Sequence, residues 1–291
     1  MTDETRGMIL GIIGVAGFSI TLPATRVAVA GLDPVFVGLG RAVLAAAMAV
    51  VILAVTRQSL PARRHWSRLM LSALCLVIGF PLFMSIAMQT VPAAHGGIVL
   101  GVLPLVTTVA AVLCGERPSS RFWLVALLGS ALVVGFAMIR GGGALQAGDV
   151  WLLAAAACAG TGYAISGDLS RVLGGWQVIC WALVASLPLV LPPVLWVIGD
   201  VDWGVPWPMW TGFLYVALIS QLAAFFAWNR GLALGGVARV GQVQLLQLFM
   251  TLAASALLLG EVLDVTTLLF AVGVVGVVAL GRRMPVARPG K

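Results

Sequence analysis

Ten runs of mainly apolar residues, each about long enough to cross a bilayer, follow one another along the chain with short polar breaks between them. They extend roughly over Met8 to Ala30, Val35 to Val55, Leu69 to Gln89, Ala93 to Cys114, Phe122 to Ile139, Val150 to Leu169, Trp176 to Val197, Met209 to Asn229, Ala238 to Leu259 and Thr266 to Leu280. None alternates polar and apolar residues as a membrane strand does, and an uninterrupted apolar run satisfies its backbone groups in lipid only as a helix. The pattern therefore predicts an all-α integral membrane protein with ten transmembrane helices. The breaks leave no room for a soluble catalytic domain. The first run has the apolar content of a signal peptide, but Asp3 and Glu4 spoil its basic leader and further spans follow, so it is expected to stay as a helix.

The stretch Pro92 to Glu116 recurs. A shift of 145 positions lays Val237 to Glu261 over it, with Gly96 on Gly241 and Gly115-Glu116 on Gly260-Glu261. The shift is half the chain length, so residues 1–143 and 144–291 read as two related five-helix units. An odd number of crossings turns the second unit upside down relative to the first. Inverted repeats of this kind enclose a central cavity near the membrane midplane and change access by rocking, which predicts a carrier.

Composition agrees and narrows the choice of function. Hydrophobic residues make up 61% and charged residues 9%, more apolar surface than a water-soluble domain can bury. The formal charge of +7 invites a nucleic-acid reading, but its placement argues otherwise. With the N-terminus inside, 14 of the 17 basic residues fall on the cytoplasmic side, Arg140 falls outside, and Arg26 and Arg41 lie within spans. The positive-inside rule then puts both termini in the cytoplasm, and the basic balance serves topology in the lipid bilayer rather than nucleic acid. Lys291 is the single lysine, which removes a P-loop lysine and a buried Schiff base together. Cys75, Cys114, Cys158 and Cys180 lie in apolar runs without metal spacing, and neither a metal nor a cofactor is expected. His65 and His95 offer no triad or metal geometry, so an enzyme is not expected.

Several segments resemble the drug/metabolite transporter superfamily, in its ten-helix EamA-like branch. These are Gly31-Leu32-Asp33-Pro34 with Gly40-Arg41-Ala42, then Val91-Pro92-Ala93 through Leu103-Pro104-Leu105 to Gly115-Glu116-Arg117. Weaker echoes stand at Gly231-Leu232-Ala233, Leu259-Gly260-Glu261 and Gly273-Val274-Val275-Gly276. Phe18-Ser19 stands where many relatives carry Trp-Gly. The resemblance implies a ten-helix basket in a bacterial inner membrane, with the fifth and tenth helices outside the cavity. It also implies export of amino acids, aromatic ones among them, and of related metabolites.

Polar groups inside a membrane are costly, so their positions are informative. Gln244 and Gln247 are three apart on the ninth span, and Gln221, Thr161 and Tyr163 fall at comparable depth on neighbouring spans. Together they offer amide and hydroxyl partners for a substrate carboxylate and ammonium; the competing reading is interhelical bonding. Trp181 lies deep enough to stack on a substrate ring or simply to pack. Arg41 and His95, near outer span ends, are candidates for the mouth or a gate, with snorkelling and helix capping as the alternatives. Pro23, Pro81, Pro104 and Pro188 allow bends inside spans. No Asp or Glu falls at mid-membrane depth, which favours facilitated diffusion over ion coupling. The alternative keeps the fold and exports a drug or other metabolite with proton coupling. The number of subunits is left open.

Overall fold

The computed structural model describes residues 2–91, 95–96, 99–139, 146–259 and 265–287. Gly97, Arg140, Gly260 and Glu261, which carry part of the repeat and charge arguments, lie outside these residues. The described residues form ten helical stretches. These are α1 (Asp3–Ala28), α2 (Phe36–Val55), α3 (Arg63–Thr90), α4 (Leu100–Leu113), α5 (Ser120–Ile139), α6 (Asp149–Leu173), α7 (Gly175–Asp200), α8 (Trp207–Gly235), α9 (237–259) and α10 (Val265–Arg283). Seven of them, α1 to α3, α6 to α8 and α10, are long and apolar enough to cross a membrane. Large apolar side chains such as Ile13, Val51, Leu124, Leu195 and Leu269 are exposed around the bundle, as lipid-facing residues are.

The helices pack reciprocally between halves. Helix α1 lies along α8, and its repeat counterpart α6 lies along α3; α2 packs on its own counterpart α7. In the same way α4 packs on α6 and α9 on α1, while α5 and α10 pair with each other at one side. Small residues make the closest of these approaches possible. A Cβ placed on Gly7 would sit 2.4 Å from the backbone nitrogen of Gly235, and one on Gly14 2.8 Å from Trp228. The first-span glycines Gly7, Gly11, Gly14 and Gly17 all face α8 or α9, so the stripe is a packing surface.

Several helices depart from regular winding. Helix α1 breaks at Ile20, before Pro23. Three segments widen to π winding, Phe36–Gly40, Leu74–Gly79 and Tyr215–Ala223, and the last two occupy overlapping places in the two repeats. In α9 the turn Gln242–Leu246 tightens to 3₁₀ winding. On the face that carries the N-terminus, Arg117–Pro118 pairs with Val286–Ala287 as a two-residue antiparallel ladder, a small addition to an otherwise helical fold.

Candidate functional site

The break in α1 shapes the centre of the molecule. Pro23 has no N–H, so the carbonyl of Ser19, four residues earlier, has no helical partner. Thr251 of α9 donates its hydroxyl to that carbonyl, Gln247 donates to the carbonyl of Phe18 at 3.4 Å, and Tyr215 of α8 to that of Gly17 at 2.9 Å. The second half thus supplies the bond that the Ser19 carbonyl lacks and adds two more to the carbonyls before it. In α3 the amide of Gln221 donates to the carbonyl of Leu76 at 3.2 Å, within the π segment before Pro81. Gln221 and Leu76 are 145 positions apart, so this bond joins repeat-equivalent sites where the halves meet.

A narrow cavity of about 20 Å³ lies beside these bonds, room for no more than a water or two. Both halves line it: Phe18, Thr21, Arg41 and Phe80 from the first, Tyr163, Ser220, Gln221, Phe225 and Gln247 from the second. Arg41 dominates its chemistry. The residue is 1% exposed, and its Nη2 donates to Ser220 Oγ at 3.0 Å, while Thr21 Oγ1 lies 2.8 Å from the same hydroxyl. Its Nε and Nη1 have no hydrogen-bond partner, and no Asp or Glu pairs with it among the described residues. A buried, half-satisfied guanidinium costs several kcal/mol in the absence of an anion. Rings surround the polar cluster: Phe18 stacks at 6.4 Å from Tyr163 and meets Phe225 edge-on at 5.0 Å.

Of the residues the sequence singles out, the fold brings Arg41, Tyr163, Gln221 and Gln247 to one cavity. Gln244 is buried nearby on α9 with both amide atoms unpaired, and it does not line the cavity. Thr161 is half-buried on α6 and does not line it either. Trp181 sits in a separate crevice toward the N-terminal face with Gln177 and Pro61, its ring 6.4 Å from that of Trp66. His95 lies at the opposite end of the molecule, 2.7 Å from Asp149. Thr21 and Ser220 are cavity residues that the sequence does not flag, because lone hydroxyls are common in membrane helices.

Both ends of the cavity helices are held by buried acids. On the N-terminal face, Gly115 adopts φ 97°, a conformation that glycine takes without strain, and turns Glu116 inward to 2% exposure. Its carboxylate accepts the N–H groups of Val237 at 2.9 Å and Ala238 at 2.8 Å, the first turn of α9, and Arg171 at 3.0 Å. An acid at a helix N-terminus meets both the free donors and the positive end of the helix dipole. Glu4 and Arg239 form an ion pair on the same face. On the other face, His95 and Asp149 close the starts of α4 and α6. The repeated Gly-Glu signal was visible in the sequence, but nothing in it told that the acid would cap another helix.

Three comparisons with known proteins bear on this arrangement. The pattern of the EamA-like transporter family matches residues 5–139 and again residues 146–281. An uncharacterized transporter of Bacillus subtilis strain 168, YdeK, is 45% identical over 284 residues, which cover 97% of this chain and 99% of that one. A solved structure described only as the crystal structure of a protein superposes with a TM-score of 0.75 at 20% identity, over 95% of this chain and 98% of that one, a likeness of fold alone.

Proposed function

This chain belongs to the EamA-like transporter family, and on that premise we propose that it exports amino acids, aromatic and other neutral ones included, and related small metabolites. In this reading ten transmembrane helices form two inverted five-helix repeats, residues 1–143 and 144–291, with both termini in the cytoplasm of a bacterial cell. The unpaired guanidinium of Arg41 in the central cavity carries the reading of the cargo. Its Nε and Nη1 are free donors, and once Nη2 exchanges Ser220 for a ligand the guanidinium presents a two-pronged edge that matches a carboxylate. The amide oxygens of Gln221 and Gln247 are acceptors for an ammonium, and Phe18, Tyr163 and Phe225 offer ring faces to a side chain.

The cavity is too small for an amino acid as it stands, so it corresponds to an occluded form that must open toward one side at a time. Reciprocal packing of the halves supports alternating access, because the same contacts can be exchanged at either end. No Asp or Glu lines the cavity among the described residues, which supports movement of cargo down its own gradient. A cationic drug fits poorly, since a buried Arg41 repels it.

Counterflow in proteoliposomes loaded with unlabelled amino acids tests the proposal. Neutral and aromatic amino acids are expected to compete with one another, while the amines that lack only the carboxylate do not. Equal competition by those amines would overturn the assignment of the cargo. An imposed pH gradient without a substrate gradient is expected to drive no accumulation.

A further inference from the structure

The two ends of the molecule carry equivalent contacts of different chemistry. The 145-residue shift that relates the halves lays Glu4 on Asp149, the acids that open α1 and α6. Each meets a cation at the start of a helix from the other half: Glu4 pairs with Arg239 of α9, and Asp149 with His95 before α4. Arg239 falls on position 94 of the first repeat, one residue from His95. The contacts are therefore counterparts at opposite mouths. Arginine keeps its charge throughout the physiological range, whereas histidine changes charge within it.

We infer that His95 and Asp149 form a proton-binding site that latches the outer mouth, whereas Glu4 and Arg239 latch the inner mouth regardless of pH. The inference rests on the alternating-access reading and on the cytoplasmic placement of the N-terminus. His95 Nε2 and Asp149 Oδ1 are 2.7 Å apart with side chains 7% and 9% exposed, so little water screens them. The other oxygen of Asp149 accepts the N–H of Gln146 at 3.0 Å, which holds the carboxylate in place. Leu22, Met88 and Leu152 surround the neighbouring Gly96, giving the contact apolar walls.

The charged group that faces this region from α1 is Arg26, which donates to the carbonyls of Met88 and Val91 at the end of α3. Helix α3 contributes Thr90 and Val91 beside Gly148 and no charge. His95 is thus the cation that meets Asp149. With a proton on His95 the contact joins two full charges; without it a single neutral-donor bond remains, opposite a carboxylate that draws water. Two opposite charges hold each other more tightly than one charge and a neutral donor, so the latch is expected to be several-fold looser when His95 carries no proton. Release of cargo is then slower into an acid exterior and faster into a neutral or alkaline one.

Two measurements test this, one of which needs no cargo. A double-mutant cycle of His95→Gln and Asp149→Asn, read by thermal unfolding in detergent, is expected to give a coupling that is larger at pH 6 than at pH 8. The cycle of Glu4→Gln and Arg239→Gln is expected to be the same at both. Equal His95–Asp149 coupling at the two pH values overturns the proton site. In proteoliposomes at saturating cargo, exchange by the wild type is expected to rise several-fold from pH 5.5 to 8. His95→Arg should be slow and flat with pH, and His95→Gln fast and flat. A wild-type slope retained in both variants overturns the latch. A pH-dependent coupling in a protein that exchanges no amino acid would instead leave the proton site standing and count against the proposed cargo.

Discussion

Replacing Arg41 by methionine separates a binding role from a structural one, because the two predict changes of opposite sign. Methionine keeps most of the volume and removes the charge. The loss on the folding side is the bond to Ser220 at 3.0 Å, worth about 1 kcal/mol, and Ser220 keeps Thr21 as a partner at 2.8 Å. The gain is relief of a buried cation whose Nε and Nη1 are unpaired; exchanging buried ionic groups for apolar ones of similar size is neutral or stabilising by about 1–4 kcal/mol. The variant should therefore be at least as stable as the wild type in thermal unfolding. Cargo binding should collapse. Two charge-assisted bonds to a carboxylate, at about 1.5 kcal/mol or more each, amount to about 3 kcal/mol, a loss of roughly a hundredfold in affinity. Arg41→Lys keeps the charge without the fork and should lose about tenfold. The measurements are unfolding temperature without cargo and the half-saturating concentration in counterflow. A methionine variant that is destabilised by about 2 kcal/mol yet binds normally would make Arg41 a structural residue and refute the reasoning.

Three further outcomes follow from the geometry. Glu116→Gln removes the charge from a carboxylate that holds Val237, Ala238 and Arg171, and should cost about 2–3 kcal/mol, seen as a lowered unfolding temperature. Gly7→Ala forces a Cβ to 2.4 Å from the backbone of Gly235 and should destabilise by about 1–3 kcal/mol, whereas Gly276→Ala, with nothing within 4 Å, should be neutral in the same assay. Gln247→Ala should weaken cargo affinity by about fivefold, since one lost hydrogen bond is worth about 1 kcal/mol. Gln244→Leu should leave affinity unchanged and stability equal or higher, because both of its amide atoms are buried without partners; matching losses in the two variants would put both glutamines in the site.

The apolar runs and their shift of 145 residues carried the helical membrane class and the twofold repeat without help, because in lipid a long apolar segment has few structures open to it. Gly7, Gly11, Gly14 and Gly17 stand three or four residues apart in the first span, a spacing that marks a close helix contact whatever the partner. Positions along a helix are countable, and so Gln221, Gln247 and Tyr163 could be grouped by depth before any fold was known. Direction is another matter. Which face of a helix turns inward depends on helices far away in the chain. Counting residues from the outer end put Arg41 at the mouth, but Ser220, 179 residues later, draws its guanidinium into the cavity. Gln244, at nearly the depth of Gln247, turns away from the cavity, and Trp181 faces a crevice on the N-terminal face. Burial of Glu116 depends on a first turn of α9 that lies 121 residues on, and the pairing of His95 depends on the start of α6, 54 residues on. The sequence by itself determined the helical class and the order and repetition of the apolar segments, since those depend on local chemistry against a uniform solvent. The tertiary structure alone decided which costly polar groups meet, since that depends on how two repeats pack across their shared interface.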